Sequence, residues 1–462
     1  MRKRLVLFPL PLQGHQTPML QLANILYSKG FSISIIHTQY NAPNSEINPH
    51  FTFHPIPNSL SQCETYSKED VIRLIIKLNA LLVAPFRDLL AGIVSDENAA
   101  NKEPVACLIT DAMWYFTQDV ADNLNLPRIV LRTSNAACFY AFFYCPVFKY
   151  KGYLSAKGSE LEAEVPEFPP LKMKDIPIHG TPDPEQTYEL VCAMIEKTKA
   201  SSGLILNTFQ QLELTSLSAI RKAIPPIPIF AIGPFHKQVP ASSSSLFAPD
   251  QSCISWLNVQ APNSVLYVSF GSIAAIEMKE FTEIALGLAN SKQPFLWVVR
   301  PGLVRCSDGN DPLPSGFMEM VAERGRVVKW APQQEVLAHP AVGGFWTHTG
   351  WNSTLESICE GVPMLCLPCF GDQMINARYV TDVWKVGFRF EDQLRRDDVE
   401  KVIRRLMVDK EGQEMRQKMT SLKEKACLSK EPGGPSYSSL ESLVAHISSF
   451  SMKGQLLLFL TH

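Results

Sequence analysis

The feature that most constrains the fold is an alternation of short apolar runs with amphipathic stretches, which occurs twice along the chain. Continuous apolar runs separated by helical patterns are typical of parallel strands that are buried on both faces of a sheet. These runs are residues 4–10, 31–38, 105–110, 127–131 and 203–207 in the first half, and 264–272, 295–300, 326–330, 343–348 and 363–368 in the second. The sequence therefore predicts two α/β domains, each with a doubly wound parallel sheet.

A serine- and proline-rich segment separates the two halves. Residues 236–250, HKQVPASSSSLFAPD, show no hydrophobic periodicity and are typical of a linker. We predict an N-terminal domain of residues 1–236, a linker of residues 237–250 and a C-terminal domain of residues 251–434, with a helix over about 435–462 that packs back onto the first domain. Ligands of open parallel sheets bind beyond the carboxyl ends of the strands, so we expect a cleft between the two domains.

The composition argues against several classes of partner. The 462 residues include 43 Lys and Arg against 45 Asp and Glu, which gives no electrostatic reason for a nucleic acid partner or an anionic membrane surface. The 11 cysteines are odd in number and irregularly spaced, which indicates reduced thiols. Cys366 and Cys369 form a C-x-x-C pattern, for which a redox role is not favoured, and no Cys/His cluster has zinc spacing.

The two ends of the chain and one sequon bear on location. The start, MRKRLVLFPLPLQGH, resembles a signal peptide, but its apolar run holds two prolines and no cleavage site, so a first strand is favoured. The tail GQLLLFLTH is too short to span a bilayer. A glycan on the Asn352 sequon would block a polar cluster described below. We therefore expect a cytoplasmic protein without stable membrane insertion.

That polar cluster lies in residues 348–363, HTGWNSTLESICEGVP, at a predicted strand-to-helix turn. A helix start favours anions because its first N–H groups and its dipole point outward. Gly350 allows close backbone approach, and His348, Asn352 and Ser353 add polar side chains. The alternative is that Asn352 or Ser353 is only an N-cap. Because capping needs one such residue, the sequence predicts an anion site.

Phosphate motifs of other families are missing from the sequence. There is no G-x-G-x-x-G dinucleotide fingerprint, no G-x-x-x-x-G-K-[ST] loop and no D-x-D for a metal-held diphosphate. The predicted site is therefore a phosphate site without a metal or a P-loop lysine.

The first half offers a candidate general base. His15 follows the first strand, Gly14 leaves it open, and Asp111 ends a later strand. If the strands bring the two side chains together, Asp111 fixes the imidazole tautomer and His15 takes a proton. Asp111 is alternatively an N-cap of the next helix. The apolar residues 130–144, which include Thr133 and Ser134, are typical of a buried helix and also of the wall of an apolar pocket, and both interpretations can hold. The candidate pocket residues are Gly14, Met113, Phe139 and Phe143.

The 44 residues 330–373, WAPQQEVLAHPAVGGFWTHTGWNSTLESICEGVPMLCLPCFGDQ, resemble the signature box of plant family 1 UDP-glycosyltransferases. The resemblance extends to LPLQGHQTPMLQLA near the start and to VSFGS at 268–272, and it covers essentially the whole chain. VPEFPPLKMKDIP and VPASSSSLFAPDQSCISWL look closest to the subfamily with cytokinin and diterpenoid glucosyltransferases. The resemblance implies a GT-B fold, in which two Rossmann-like doubly wound domains face each other across a cleft.

The resemblance also implies roles for single residues. His15 would be the base and Asp111 its partner. In the UDP-sugar site, Trp330 would stack on the uracil with Ala331 and Gln333 at its edge, and Glu356 would bind the ribose. The diphosphate would be bound by His348, Asn352, Ser353 and Ser272. The sugar would be bound by Trp351, Asp372 and Gln373, with Thr133 and Ser134 reaching toward it, and Gly14, Met113, Phe139 and Phe143 would contact the acceptor. The family most often has Cys where this chain has Thr349. Both residues are small, so we expect little change.

The expected function is inverting transfer of glucose from UDP-glucose to a hydroxyl or nitrogen of an apolar plant molecule, giving a β-glucoside. Terpenoids, flavonoids or other phenolics, and cytokinin-like compounds are candidate acceptors; no metal or cofactor is required, and the protein is expected to be a monomer. A sugar-nucleotide epimerase or dehydrogenase would need the missing dinucleotide fingerprint. A non-catalytic sugar-nucleotide-binding protein would not need the His15–Asp111 pair.

Overall fold

Parallel strands form two separate sheets in the computed structural model, which describes residues 2–57, 71–95, 103–239, 248–305, 312–390 and 394–459, the last nine as backbone only. The strands are β1 (Arg4–Phe8), β2 (Ser32–His37), β3 (Thr52–Pro55), β4 (Val105–Asp111), β5 (Arg128–Arg132), β6 (Gly203–Leu206), β7 (Ile229–Ala231), β8 (Val265–Ser269), β9 (Phe295–Val298), β10 (Gly325–Val328), β11 (Val342–Thr347), β12 (Met364–Cys366) and β13 (Gly387–Arg389).

The α-helices connect these strands and cover the sheets. They are α1 (Gln13–Ser28), α2 (Val71–Leu81), α3 (Val83–Ser95), α4 (Thr117–Asn123), α5 (Ala136–Phe143), α6 (Cys145–Tyr150), α7 (Pro184–Lys199), α8 (Gln210–Ala223), α9 (Ser252–Leu257), α10 (Met278–Ser291), α11 (Phe317–Val321), α12 (Gln333–Ala338), α13 (Trp351–Glu360), α14 (Gln373–Arg378), α15 (Arg396–Met407), α16 (Lys410–Lys430) and α17 (Pro435–Phe459). A π-helical turn, Tyr379–Val383, follows α14.

The sheet of the first unit has the order β3-β2-β1-β4-β5-β6-β7, and neighbouring strands pair in parallel. Its strands are apolar because both faces are covered: every residue of β5 is buried, as are six of the seven in β4. The order reverses between β1 and β4. In a doubly wound sheet this reversal is the switch point at which ligands bind.

The sheet of the second unit has the order β10-β9-β8-β11-β12-β13, again with parallel pairing. Its switch point lies between β8 and β11. The prediction of two doubly wound α/β domains is therefore confirmed, and each sheet has one reversal of strand order. The short strands β3, β7 and β13 were not predicted from the sequence.

The two units do not follow the predicted boundaries everywhere. Contacts group 1–152, 181–246 and 428–462 in one unit, and 153–180 with 247–427 in the other. The segment Tyr153–Gly180, predicted to belong to the N-terminal domain, thus groups with the C-terminal one. Most of the predicted linker, 240–247, lies outside the described residues.

A buried ion-pair cluster explains the placement of Tyr153–Gly180. The Asp175 carboxylate is fully buried and accepts hydrogen bonds from Arg378 Nε at 2.8 Å and Arg389 Nη1 at 2.7 Å. Removing one partner of a buried ion pair leaves an uncompensated charge, so such pairs resist separation. Asp175 therefore holds this segment against α14 and β13.

Helix α17 returns to the first unit. Leu440, Leu443 and Ile447 share one helical face and lie in the apolar core that also contains Phe230 and Ile205. His446 Nε2 donates a hydrogen bond to the Ser202 carbonyl oxygen, 2.7 Å away. The end of the chain is therefore a structural part of the first unit. Of the helices that the structure describes, none has the length and apolarity required to cross a membrane.

The C-x-x-C pair is split between two environments. Cys366 is buried on β12, where burial raises the pKa of its thiol, and a protonated thiol is a poor redox nucleophile. Cys369 is half-buried in the following loop, where its backbone N–H is bound by Gln373. The environment of Cys366 is that of a structural thiol.

Candidate active site

The switch point of the first sheet brings His15 to Asp111. His15 lies in the first turn of α1, directly after β1, and Asp111 is the last residue of β4, the strand paired with β1. Because β1 and β4 are parallel neighbours, their carboxyl ends share one edge of the sheet. His15 Nδ1 and Asp111 Oδ2 are 2.7 Å apart, across 96 residues of sequence.

This hydrogen bond orients the imidazole. Asp111 is 1% exposed, and its second oxygen, Oδ1, accepts from the backbone N–H of Met113 at 2.9 Å. The fixed carboxylate accepts a hydrogen bond from Nδ1–H, so the lone pair of the neutral ring is on Nε2. The His15 side chain keeps 25% of its surface exposed. The arrangement is that of a general base with an orienting carboxylate.

Thr133 and Ser134, predicted together, have separate roles. Thr133 Oγ1 is 3.0 Å from His15 Nδ1, so it joins the base cluster from the end of β5. Ser134 Oγ instead accepts a hydrogen bond from Arg132 Nε at 2.8 Å. The structure therefore assigns Thr133 to the imidazole and Ser134 to a buried arginine.

The four predicted acceptor contacts differ in exposure. Gly14 is exposed with open space around it, and Met113 and Phe143 are half-buried. Phe139 is 1% exposed and belongs to the core of α5. Its assignment as an acceptor contact stays a prediction. Six of the eight residues of α5 are buried, so this segment is mostly the buried helix that the sequence allowed.

The switch point of the second sheet brings the loop after β8 to the turn after β11. His348 directly follows β11, and its ring lies between two glycines of these connections. A Cβ at Gly271 would be 2.6 Å from His348 Cε1, and one at Gly350 would be 2.5 Å from His348 Nε2. Larger residues there would displace the imidazole. Ser272, predicted on the diphosphate, follows Gly271 and is half-buried beside it.

His348 is held in its neutral form. Burial, the larger cause, and the nearby positive charge of Arg300 together lower its pKa to about 4. Arg300 donates to the carbonyl oxygens of Gly271 and Pro301, at 2.8 and 3.0 Å, and to that of Ala274. It thus holds the loop beside His348 and adds positive charge. His348 offers a neutral hydrogen-bond donor rather than a cation.

Helix α13 begins at Trp351 with Gly350 as its N-cap, and no side chain caps it. The alternative that Asn352 or Ser353 is only an N-cap is therefore wrong, because both lie inside the first turn. N–H groups of a first turn have no acceptor within their own helix. Ser353 is buried, and Asn352 is half-buried. The dipole and side chains of this turn suit an anion.

The Glu356 carboxylate is bound by two adjacent amides. Gln333 Nε2 donates to Glu356 Oε2 at 2.7 Å and lies 3.0 Å from Ser353 Oγ, while Gln334 Nε2 donates to Glu356 Oε1 at 3.0 Å. Glu356 is 8% exposed and retains acceptor capacity for a diol. Half-buried Trp330 and buried Ala331 precede α12, which carries both glutamines.

Asn376 links Asp372, which was predicted on the sugar, to the turn that precedes α13. Its Nδ2 donates to the Thr349 carbonyl at 2.8 Å and to Asp372 Oδ2 at 3.0 Å. Gln373 uses its Oε1 to accept from the N–H groups of Cys369 and Phe370, at 2.8 and 3.1 Å. Only its Nε2 is therefore available as a donor for a ligand. Gln373 is the first residue of α14, and its side chain orders the preceding loop.

Trp351 and Thr349 lie on either side of Gly350, one with a buried side chain and the other with an unusual backbone conformation. Trp351 is 3% exposed, and its ring centroid is 6.4 Å from that of Trp384. Thr349 has φ +59°, which is unusual for a β-branched residue. Its Oγ1 lies 2.6 Å from the His348 carbonyl and 3.1 Å from that of Gln373. The Thr349 hydroxyl thus connects the turn before α13 to the first residue of α14. The sequence interpretation considered only the small size of this residue and did not predict the contact.

The sequence interpretation missed Arg300, Gln334 and Asn376. Gln334 adjoins a predicted residue, and Asn376 lies four residues after Asp372 on a helix, so spacing could have found both. Nothing in FLWVVR marks Arg300 as more than a solvent-facing charge. Within the part of the chain that is described, no group of His, Cys, Asp or Glu could hold a metal ion.

Comparisons with known proteins show the family to which the chain belongs. Residues 243–427 match the sequence model of the family described as UDP-glucoronosyl and UDP-glucosyl transferase. The chain is similar to UDP-glycosyltransferase 76B1 of Arabidopsis thaliana, with 52% identity over 444 residues, 96% of this chain and 98% of that protein.

Two solved structures share the fold. UGT2 of Phytolacca americana, complexed with UDP-2-fluoro-glucose and pterostilbene, has a TM-score of 0.82 and 27% identity over 96% of this chain and 100% of its own. A UDP-glucosyltransferase of Polygonum tinctorium, capable of glucosylating indoxyl, has a TM-score of 0.82 and 28% identity over 97% of this chain and 99% of its own. This full-length similarity shows that the chain is a GT-B glycosyltransferase of plant family 1, the UDP-glycosyltransferases.

Proposed function

We propose that this enzyme transfers glucose from UDP-glucose to a hydroxyl or nitrogen of an apolar small molecule, with inversion at the anomeric carbon. The observation that carries the proposal is the 2.7 Å hydrogen bond between His15 and Asp111, with Thr133 at the same ring nitrogen. A protein that only binds a sugar nucleotide has no need of an oriented, partly open imidazole.

The acceptor step is a proton transfer coupled to attack. The acceptor O–H or N–H gives its proton to His15 Nε2, and its freed electron pair forms a bond to the anomeric carbon. Asp111 stabilises the resulting imidazolium through Nδ1–H. The bond from the anomeric carbon to the phosphate oxygen breaks, and UDP leaves with that electron pair. One displacement on an α-linked donor gives a β-glucoside.

The donor is held by the second cluster. Glu356 accepts from the ribose hydroxyls, Trp330 stacks on the uracil, and Asp372 and Gln373 contact the sugar. His348 and the first turn of α13 donate to the diphosphate, while the charge of Arg300 opposes the charge that develops on UDP. We propose that these groups act without a metal ion or a further cofactor.

The solved relatives support the choice of donor and acceptor class. One was solved with a fluorinated UDP-glucose and the stilbene pterostilbene, and another glucosylates indoxyl; both acceptors are aromatic. The half-buried, apolar Met113 and Phe143 suit acceptors of this kind. A cytoplasmic location and a monomeric state are part of the proposal and need separate measurement.

The test is to supply UDP-glucose with a set of apolar alcohols, phenols and amines. UDP release should require an acceptor, the product should gain one hexose by mass, and its anomeric proton should show the large coupling constant of a β-glucoside. Activity should survive a metal chelator. Tight UDP binding without UDP release for any acceptor would instead favour the alternative, a sugar-nucleotide-binding protein without catalysis.

A further inference from the structure

Two buried arginines lie at the opposite ends of β5 and have different surroundings. Arg128, 1% exposed, donates to Thr110 Oγ1, Gln118 Oε1 and two backbone carbonyl oxygens. Oxygen acceptors thus surround its guanidinium on all sides. Arg128 is a structural arginine whose donors are satisfied.

Arg132, 5% exposed, lacks such a shell. Its Nε donates to Ser134 Oγ at 2.8 Å, but Nη1 meets only the sulfur atoms of Met194 and Met113, at 3.0 and 3.5 Å. The Phe142 ring lies 5.0 Å from its central carbon. Thioether sulfur is a weak acceptor. Among the described residues, no acceptor is assigned to Nη2 and no carboxylate forms an ion pair with this guanidinium.

The position of Arg132 connects it to the proposed base. The next residue, Thr133, contacts His15, and Met113, whose sulfur touches the guanidinium, donates its N–H to Asp111. Met113 is half-buried, and a flexible thioether side chain can yield to a ligand. Thr133 and Met113 thus each link the surroundings of the guanidinium to the proposed reaction centre.

We propose that Arg132 binds a carboxylate on the acceptor, so that the preferred acceptors carry a hydroxyl at His15 and an anionic carboxylate at Arg132. The inference rests on the proposed function and names its substrate class. A buried cation without a counter-charge is costly, and a carboxylate supplies both the charge and the oxygen acceptors that Nη1 and Nη2 lack.

The surroundings favour a carboxylate over a phosphate. Methionine sulfurs and a phenyl ring line the guanidinium, and a dianion would lose more hydration there than a carboxylate. The start of α5 nearby is not an anion site. Its Ala136 and Ala137 N–H groups donate to the Glu213 carboxylate, each at 3.0 Å, and Asn135 caps Cys138. The guanidinium is therefore the group that recognises the anion.

The experiment compares acids with their methyl esters. The acceptors are 4-hydroxyphenylacetate, 3-(4-hydroxyphenyl)propanoate and 4-hydroxycinnamate, each beside its ester, because the series varies the spacing between hydroxyl and carboxylate. For at least one pair, wild-type kcat/KM should favour the acid by about tenfold or more, the scale on which sites built for a polar group reject analogues that lack it. Product hydrolysis in mild alkali must place the glucose on the phenol.

Two variants test the residue itself. Arg132→Met, an apolar replacement among methionines, should lose the preference for the acid while still glucosylating the ester. Arg132→Lys keeps the positive charge but loses the paired N–H donors of the planar guanidinium. It should retain part of the preference for the acid over the ester. Arg87→Met, on exposed α3, is the matched control and should keep the wild-type ratio. The acid-to-ester ratio is taken within each protein, so a loss of folded enzyme does not alter it.

A wild-type measurement covers failure of the variants to fold. Benzoate should inhibit transfer to a neutral phenol competitively, and benzamide, of similar shape but uncharged, should not. Equal turnover of acids and esters, with equal inhibition by benzoate and benzamide, would overturn the role of Arg132. So would glucose on the carboxylate, because that group would then lie at His15. If no acceptor releases UDP, the proposed function itself fails.

Discussion

His15 and His348 lie at corresponding places in the two sheets, yet their neighbours give them opposite properties. Each follows a strand at a switch point and precedes or begins the next helix. His15 has a buried carboxylate 2.7 Å from Nδ1 and keeps a quarter of its side chain exposed. His348 lies between two glycines near Arg300, and its pKa falls to about 4.

This difference shows that the neighbours, and not the residue type, decide what a histidine contributes. A carboxylate beside His15 stabilises the ring after it takes a proton, which a base requires. Desolvation and a guanidinium beside His348 oppose protonation, so the ring donates a hydrogen bond while neutral. Four predictions test the comparison, in order of decreasing effect.

The largest effect is expected for His15→Ala. Turnover of an ordinary alcohol acceptor should fall by roughly 10²- to 10⁴-fold, the usual contribution of a general base, while UDP affinity stays unchanged. Steady-state kinetics and calorimetry measure the two quantities, and His50→Ala, on an exposed histidine, is the control. Near-normal turnover of the alcohol would remove His15 from the mechanism. Acidic phenols can bypass a base and are unsuitable here.

Glu356→Ala should have the next largest effect, on binding rather than on the chemical step. The variant removes a charged acceptor and leaves two buried amides unpaired, which costs about 1.5–3 kcal/mol, or roughly ten- to hundredfold in affinity. UDP and UDP-glucose should weaken alike because both contain the ribose. Glu335→Ala, at an exposed position of α12 next to the two glutamines, is the control. Unchanged UDP affinity by calorimetry would contradict the ribose contact.

Gln373→Ala should reduce donor selectivity. Wild type should prefer UDP-glucose to UDP-galactose by at least about tenfold in kcat/KM, since an unpaired C4 hydroxyl costs about 1–3 kcal/mol. The Nε2 of Gln373 is the group that can donate a hydrogen bond to that hydroxyl, because Oε1 already accepts from two N–H groups of the preceding loop. Donor competition measures the ratio, and exposed Gln413→Ala should preserve it.

Gln373 also has a structural role that the same variant exposes. Loss of Oε1 unpairs the Cys369 and Phe370 N–H groups, so Gln373→Ala should lower Tm as well. A lower Tm with an unchanged glucose-to-galactose ratio would assign Gln373 to the loop alone. Equal use of both donors by the wild type would end the selectivity hypothesis.

The sequence predicted the donor cluster more completely than the contacts between distant segments. Residues 348–373 are close in sequence, and one strand, one turn and two helix starts place their side chains together. Apolar runs report local burial, so they predicted the sheets but missed the short edge strands β3, β7 and β13.

Long-range pairing explains what the sequence could not provide. Asp175 meets Arg378 across 203 residues and Arg389 across 214, and neither periodicity nor spacing encodes such a pair. The left-handed backbone of Thr349 is equally hidden, because a threonine gives no signal for φ +59°. The His15–Asp111 contact could be predicted because Asp111 ends β4 and His15 lies in the helix that follows β1, the parallel neighbour of β4.

The smallest predicted effect separates the two histidines by pH. The pKa of His348 is about 4 in the folded protein and near 6.5 when unfolded, so the unfolded state binds more protons between these values. Its contribution to stability is complete above pH 6.5 and is lost as pH falls toward 4. His348→Gln keeps a neutral donor and cannot titrate. The loss of Tm from pH 7 to pH 5 should therefore be smaller in the variant, by about 2–4 °C for ~1 kcal/mol. UDP-glucose affinity of the wild type should stay flat from pH 8 to 7, since a neutral ring does the binding. Tighter binding as pH falls through 7, absent in His348→Gln, would mean that His348 binds the diphosphate as a cation, and the contrast with His15 would disappear.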